Sequence, residues 1–253
     1  MARRGEMAFD RVAHEYDETR GGTARATSAA RAVAEHLPTG RALEIGVGTG
    51  IVAEALLTEA PQLTGLVGVD ISAPMLARAA ARLPGCVLRA SALRLPFGDA
   101  TFAGVVSVHV LHLVSDVEAT VAEAARVLQP SGRFVVVHSR PVHDHDDLVE
   151  ATRGLAALSG EPRDNPEIVR AAGVAAGLGP VLQRPAAPHV SEDSPAELAD
   201  LMERRTWSSL WQVDDERWRA HVEPVIAALR ALPDQNRPRR REAYRTLTVF
   251  ERD

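Results

Sequence analysis

The sequence predicts an α/β fold built on a doubly wound, mostly parallel sheet. Three observations lead to this prediction. Between residues 41 and 139, short apolar runs alternate with helical patterns. These runs are apolar on both faces, which is typical of parallel strands covered by helices on each side. A glycine-rich loop follows the first run and opens a helix. The runs predict five strands, at 42–47, 66–71, 87–90, 104–110 and 133–138.

Two helices between these strands have clear start signals. Ser72 followed by Pro74 predicts a helix that ends at Pro84 and Gly85. The segment 115–118 reads Ser-Asp-Val-Glu, a capping box, and predicts a helix that ends at a turn over 129–132.

The pattern is weaker after residue 139. It predicts a helix at 168–178, a strand at 181–190 interrupted by prolines, helices at 195–211 and 214–232, and a last strand at 244–250. Since no linker or repeat separates these elements, we expect a single domain over 1–253. Within it, we expect an N-terminal helical cap at 1–40, a core at 41–139 and a helical insertion at about 191–235.

Composition excludes several classes of protein. The 253 residues are 45% hydrophobic and 25% charged, as in an ordinary globular domain. The net charge is −5, whereas a nucleic-acid binder usually has a strongly basic surface. The arginine-rich run 237–241 is expected to be a solvated loop. There is no lysine, which excludes Schiff-base and Walker-type chemistry. Cys86 is the single cysteine, which excludes an intramolecular disulfide framework and cysteine-cluster metal sites. We expect Cys86 to be a small buried hydrophobe. No signal peptide or membrane span is predicted, and we expect a cytoplasmic protein.

The glycine loop is the most informative motif. Residues 43–50 read Leu-Glu-Ile-Gly-Val-Gly-Thr-Gly, and Asp70 follows at the end of the second predicted strand. Glycines let a loop approach a ligand closely, and a carboxylate at this place accepts hydrogen bonds from ribose hydroxyls. Together they predict a cofactor that contains adenosine.

The loop spacing favours one cofactor over another. Dinucleotide enzymes use Gly-x-Gly-x-x-Gly, whereas this loop has Gly-x-Gly-x-Gly preceded by Glu44. A carboxylate repels a pyrophosphate but balances the sulfonium and ammonium groups of S-adenosylmethionine.

Several motifs in order resemble the class I S-adenosylmethionine-dependent methyltransferases, in the ubiquinone/menaquinone-type small-molecule branch. The resemblance runs from residue 9 to about 139, and its motifs are 9–10, 16–17, 43–50, 69–76, 95–97, 110–112 and 126–134. It implies a Rossmann-like seven-stranded sheet, mostly parallel with an antiparallel last strand, and direct in-line methyl transfer.

By position, the resemblance assigns contacts with S-adenosylmethionine to Tyr16, Arg20, Glu44, Gly46, Gly48, Thr49, Asp70, Ile71, Met75, Ser91 and Ala92. The loop is expected to surround the methionine part, Asp70 the ribose, and Ile71 with Met75 the adenine. One position departs from the family: Ser91 stands where an aspartate usually holds the adenine amino group.

Candidate catalytic residues are His109 and His112, which follow the fourth strand. Either could act as a base or orient the acceptor, and either could instead be a packed imidazole. The His/Asp-rich run 143–147 is interpreted as a solvated loop, and no metal site is predicted. Trp207 and Trp211 could line an acceptor pocket under the insertion, or belong to a core.

The expected acceptor is a small molecule, apolar or aromatic. Neither nucleic acid nor a membrane is an expected partner, and the sequence carries no signal for the oligomeric state. Two alternatives stay open at this point: an NAD(P)-dependent oxidoreductase, and a cofactor-binding module without turnover.

Overall fold

The computed structural model describes residue 17 and residues 21–143, 145–158, 163–186, 188–211 and 213–253. The chain divides into two compact units. The first contains Met1–Pro141, Arg163–Pro188 and Arg245–Asp253, and the second contains Val142–Pro162 and His189–Tyr244. The predicted insertion at about 191–235 lies within the second unit.

The strands of the described residues form a sheet in the order β3-β2-β1-β4-β5-β8-β6, and β7 also pairs with β8. Their bounds are β1 Gly40–Ile45, β2 Leu63–Asp70, β3 Val87–Arg89, β4 Phe102–Val108, β5 Leu128–His143, β6 Leu178–Pro185, β7 His189–Asp193 and β8 Arg239–Arg252. The pairs from β3 through β5 are parallel, whereas β6 and β7 run antiparallel to β8. The predicted fold class is confirmed, and β7 is an eighth strand beyond the seven expected.

The helices connect these strands. Their bounds are α1 Gly22–Ala34, α2 Ile51–Glu59, α3 Ala73–Arg82, α4 Val117–Val127, α5 Asp147–Thr152, α6 Pro166–Ala175, α7 Pro195–Glu203, α8 Asp215–Arg217 and α9 Glu223–Ala231. Short 3₁₀ turns cover Arg153–Leu158 and Ser208–Leu210. None of the described helices has both the length and the apolar character that crossing a membrane requires.

The first unit buries both faces of its sheet, as the two-sided apolar strands predict. Val106 of β4 and Leu247 of β8 pack with Val33 of α1 on one face. Val105 packs with Val121 of α4 on the other face. Because side chains alternate along a strand, both faces need apolar residues, and the strands read as continuous apolar runs.

Local signals placed one helix start correctly and missed another. Ser72 caps α3, and its hydroxyl oxygen accepts from the Met75 N–H at 3.4 Å. In α4 the cap is Asp116, which accepts from the Ala119 N–H at 2.9 Å, and not Ser115. The predicted turn at 129–132 is instead part of β5, and Ser131 within it has φ of +60°.

The C-terminal helical patterns break up more than predicted. The expected strand at 181–190 becomes β6 and β7, which end and begin around its prolines. The expected helix at 214–232 becomes α8, a π-helical turn Trp218–Val222 and α9. Pro224 has no N–H to donate, so regular helical bonding is interrupted at this point.

Two further expectations were wrong. The arginine run is no solvated loop: Arg241 is 9% exposed and pairs with Asp146 at 2.8 Å, while Arg239 pairs with Asp147 at 2.9 Å. These pairs tie the start of β8 to the start of α5. Cys86 is exposed, since it lies in the turn before β3 and not within the strand.

The second unit has its own apolar core. Its fully buried residues include Leu148, Met202 and Leu229. Trp207 and Trp218 pack against this core, and the Arg205 guanidinium carbon lies 4.0 Å from the centroid of the Trp218 ring.

Candidate cofactor site

The glycine loop adopts a conformation that glycine alone takes cheaply. Gly46, Gly48 and Gly50 have φ of +73°, +55° and +80°, all in the left-handed region. A Cβ on Gly46 would lie 2.4 Å from Val110 Cγ2, so this glycine is required by packing as well as by φ. A Cβ on Gly48 would meet no atom within 4 Å. The loop therefore packs tightly on one side and borders open space at Gly48.

Asp70 fixes this loop to the end of β2. Its Oδ2 accepts from the Gly48 N–H at 2.8 Å, and its Oδ1 accepts from the Ser72 N–H at 2.9 Å. Each carboxylate oxygen has a second lone pair, so ribose hydroxyls can still donate to it. Asp70 thus has a structural role in the loop that the sequence did not indicate.

Glu44 is a buried acid beside Asp70. It is 2% exposed, and its Oε2 has no hydrogen-bond partner in the part of the chain that the structure describes. Burial, and then the negative charge of Asp70, raise the pKa of Glu44 to about 8. A buried carboxyl oxygen left without a donor is costly unless a ligand supplies one. The ammonium of S-adenosylmethionine can supply such a donor.

Thr49 belongs to a network that sequence reasoning missed. Its hydroxyl donates to Asp17 Oδ1 at 2.5 Å, and Asp17 pairs with Arg82 of α3 at 2.9 Å. Arg82 also donates to the Thr49 carbonyl at 2.7 Å. The Thr49 hydroxyl is therefore used in holding the loop. Arg82 had no local signal, because an arginine in a last helical turn is ordinary. The predicted residues Tyr16 and Arg20 lie outside the described residues.

The predicted adenine contacts differ in exposure. Ile71 is 41% exposed at the end of β2, whereas Met75 is 2% exposed and faces the interior. The Ser91 hydroxyl oxygen accepts from the Leu93 N–H at 3.2 Å, and Ala92 packs against the core beneath. Ile71 thus presents an apolar surface to solvent, whereas the Ser91 hydroxyl stabilises the turn that contains Ser91.

His109 lies directly after β4 in a constrained position. Its φ is +56°, an uncommon conformation for a residue other than glycine, and its N–H donates to the Val137 carbonyl at 2.9 Å. Arg25 Nη2 lies 2.8 Å from His109 Nδ1. A guanidinium only donates, so Nδ1 accepts and the ring proton is assigned to Nε2. His112 is half-buried in the turn that follows.

A further histidine at the same edge of the sheet has a structural role. His138 of β5 is 2% exposed, and its ring nitrogens contact the Asp164 carbonyl and, at 2.9 Å, Thr248 Oγ1. Burial lowers the pKa of His138, which favours the neutral ring. Asp164 also accepts from the Ser139 N–H at 2.7 Å, which ties the end of β5 to the loop before α6.

Comparison with known proteins finds a family model that matches part of the first unit. A model of the family described as a methyltransferase domain matches residues 43–136. The ubiquinone/menaquinone biosynthesis C-methyltransferase of Desulfotalea psychrophila is 33% identical over 144 residues, which are 54% of this chain and 58% of that protein. The demethylmenaquinone methyltransferase of Thermus thermophilus is 40% identical over 106 residues, 40% of this chain and 48% of that protein. The chain thus spans about half the length of these curated relatives.

Solved structures show the same fold at low identity. The [4+2]-cyclase SpnF has a TM-score of 0.58 and 17% identity, with 99% of this chain and 97% of that chain covered. A geranyl diphosphate methyltransferase in complex with S-adenosylmethionine has a TM-score of 0.52 and 19% identity, with 90% and 85% covered. Because one of these proteins is named a cyclase, the fold alone does not identify the reaction. The segment that carries the loop, residues 43–136, is the part of the chain that matches the family model described as a methyltransferase domain.

Proposed function

We propose that the protein transfers a methyl group from S-adenosylmethionine to a small-molecule acceptor. The observation that carries the proposal is Glu44, a buried carboxyl whose Oε2 has no partner among the described residues. It lies in the strand that leads into the glycine loop, where a cationic ligand would satisfy it. The family match over residues 43–136 and the methyltransferase names of the relatives support the same reaction.

The residues present fit this cofactor. The loop around Gly48 offers open space for its methionine part, Glu44 would face its positive charge, and Asp70 would accept from its ribose. When bound, S-adenosylmethionine supplies a methyl group on a sulfonium, which needs no further activation. The protein's contribution is then to align the acceptor with that methyl group and to exclude water.

His109 is suited to orienting an acceptor and poorly suited to removing a proton. Its Nδ1 is occupied by Arg25 and its Nε2 is assigned the proton, so the ring is set to donate through Nε2. Deprotonating an acceptor through Nε2 would require the other tautomer, which places an N–H against the donating guanidinium. His112 stays a candidate base by its position in the same turn.

The finer description of the acceptor belongs to this proposal. The printed names of several relatives refer to quinone biosynthesis, and we propose an acceptor with an apolar or aromatic body. A role of Trp207 and Trp211 in its recognition stays a prediction. Within its own unit, Trp207 packs on the core and Trp211 Nε1 donates to the Arg205 carbonyl at 2.8 Å. We also propose a cytoplasmic location, since one exposed cysteine gives no intramolecular disulfide.

Binding and turnover test the proposal separately. S-adenosylhomocysteine should raise the Tm of the wild-type protein by mass action, and labelled methyl groups should pass to a member of a hydroquinone and phenol panel. Asp70→Ala should bind S-adenosylhomocysteine at least tenfold more weakly, because it loses the ribose contact and frees the loop. Asp99→Ala, an exposed carboxylate that pairs with Arg126, is the matched control and should bind like wild type. Equal affinity in both variants would contradict the placement of the cofactor.

A further inference from the structure

Arg245 of β8 is a half-buried arginine whose Nε has no hydrogen-bond partner among the residues that the structure describes. This nitrogen is also inaccessible to solvent. The charged neighbour that acts on it is Arg25, another cation. Burial and the charge of Arg25 lower the pKa of Arg245 to about 9, which still leaves it protonated at neutral pH.

Such an arrangement is costly for a folded protein. A buried charge without a counter-ion loses its hydration and gains nothing in return, and a second cation nearby adds repulsion. An apolar side chain of similar length would be the more stable choice at this position. Residues that cost stability in this way are typical of binding sites, where a ligand supplies the missing partner.

The direction of β8 places Arg245 at the ligand-binding edge of the sheet. Arg133 of β5 contacts Glu251 at 2.9 Å, and further along β5, His138 contacts Thr248 at 2.9 Å. The two strands therefore run in opposite directions, and Arg245 lies beyond His138, toward the carboxyl end of the parallel strands. Ligands of doubly wound sheets bind outside that end.

Arg25 approaches the same place from α1. It lies one helical turn before Ala29, which packs in the same apolar cluster as Leu247, and Leu247 is two residues after Arg245. Both arginines thus lie on the same side of the contact between α1 and β8, toward the carboxyl end of the parallel strands. Arg25 also contacts His109 Nδ1 at 2.8 Å, which brings the pair next to the residue that follows β4.

We propose that Arg245, with Arg25 beside it, binds an anionic group of the methyl acceptor, a carboxylate or a phosphate, next to His109. A guanidinium presents two parallel N–H groups to either anion, and the low polarity around a half-buried site strengthens the contact. The inference rests on the proposed methyl transfer and narrows the class of acceptor. The acceptor has an apolar or aromatic body with one acidic group, and His109 Nε2 donates to an atom close to that group.

Simple anions test the site without knowledge of the acceptor. Benzoate, phenyl phosphate and neutral benzamide are titrated by calorimetry into protein saturated with S-adenosylhomocysteine. We expect at least one of the two anions to bind wild type, benzamide not to bind, and Arg245→Met to weaken the anion at least tenfold. Arg133→Met removes an arginine paired with Glu251 at the opposite end of the sheet, and it should retain the anion affinity within twofold.

Thermal stability gives a second readout that a structural arginine would not produce. Since Arg245→Met removes an uncompensated buried charge, its ligand-free Tm should be higher than that of wild type. A lower Tm together with unchanged anion affinity overturns the inference, as does the failure of both anions to bind wild type. If S-adenosylhomocysteine itself fails to bind, the proposed function fails; if it binds and Arg245→Met leaves the anions unaffected, only the anion site fails.

Discussion

Glu44→Gln is the perturbation whose outcome follows most directly from the structure. Glu44 is buried beside Asp70, and its pKa of about 8 lies well above the value of 4.5 for an ordinary glutamate. Between these two values the folded protein holds a proton that the unfolded chain releases. The stability contributed by this proton is present below about pH 4.5 and is lost as the pH rises through 8. Glutamine has the same shape and does not titrate.

The magnitude follows from the two pKa values. Each pKa unit corresponds to about 1.4 kcal/mol, so the loss between the two values is at most about 5 kcal/mol. We therefore expect the ionisation of Glu44 to cost the wild type about 1 kcal/mol of stability at pH 5 and about 3 kcal/mol at pH 7, a cost that Glu44→Gln does not bear. At pH 9, Glu44→Gln should be the more stable protein by several kcal/mol.

Urea unfolding of the ligand-free protein from pH 5 to pH 9 measures this difference. Other groups also titrate over the range, so the quantity of interest is the stability of the variant minus that of wild type at each pH. Glu118→Gln, an exposed glutamate of α4, serves as the matched control and should show no such trend. If the difference for Glu44→Gln stays constant with pH, Glu44 is not a buried protonated acid and the electrostatic argument for a cationic ligand is wrong.

Four further substitutions have outcomes that the structure predicts. Gly46→Ala should destabilise the fold by about 2 kcal/mol or more in urea unfolding, because its Cβ meets Val110 at 2.4 Å. In Gly48→Ala the new Cβ has open space, so the free energy of unfolding should fall by only about 1 kcal/mol, because of the positive φ. Relative to the stability that each variant loses, Gly48→Ala should weaken the binding of S-adenosylhomocysteine more than Gly46→Ala does. His109→Asn should lower kcat while the affinity for S-adenosylhomocysteine stays within twofold, since asparagine tolerates the positive φ at this position. An unchanged kcat would show that His109 does not orient the acceptor. Trp207→Ala should lower methyl transfer at unchanged S-adenosylhomocysteine affinity, and full turnover would show that it is only core.

The sequence was most informative where structure depends on near neighbours. The strand pattern, the Ser72 cap and the glycine loop each follow from a few adjacent residues, and all are present as predicted. The same local reasoning failed for Cys86, which was expected to be buried and lies exposed in the turn before β3, and for the cap of α4, where Asp116 competes with Ser115. Element ends depend on such small competitions.

The remaining features depend on residues far apart in the chain. Arg82 reaches Asp17 across 65 positions and Arg25 reaches His109 across 84, so neither contact leaves a local pattern. Arg241 was read as part of a solvated run because its partner, Asp146, is 95 positions away. Likewise, the sequence does not show that Glu44 Oε2 and Arg245 Nε lack hydrogen-bond partners among the described residues, because this depends on their burial in the folded chain.

Calorimetric titration of the wild-type protein with S-adenosylhomocysteine and, separately, with NAD tests the central claim most directly. The loop geometry and the buried Glu44 predict that S-adenosylhomocysteine binds at one site per chain, and that NAD, whose pyrophosphate would face this carboxyl and Asp70, does not bind. Binding of NAD, or the absence of any heat with S-adenosylhomocysteine, would contradict the assignment of this loop to a methyl-donor cofactor.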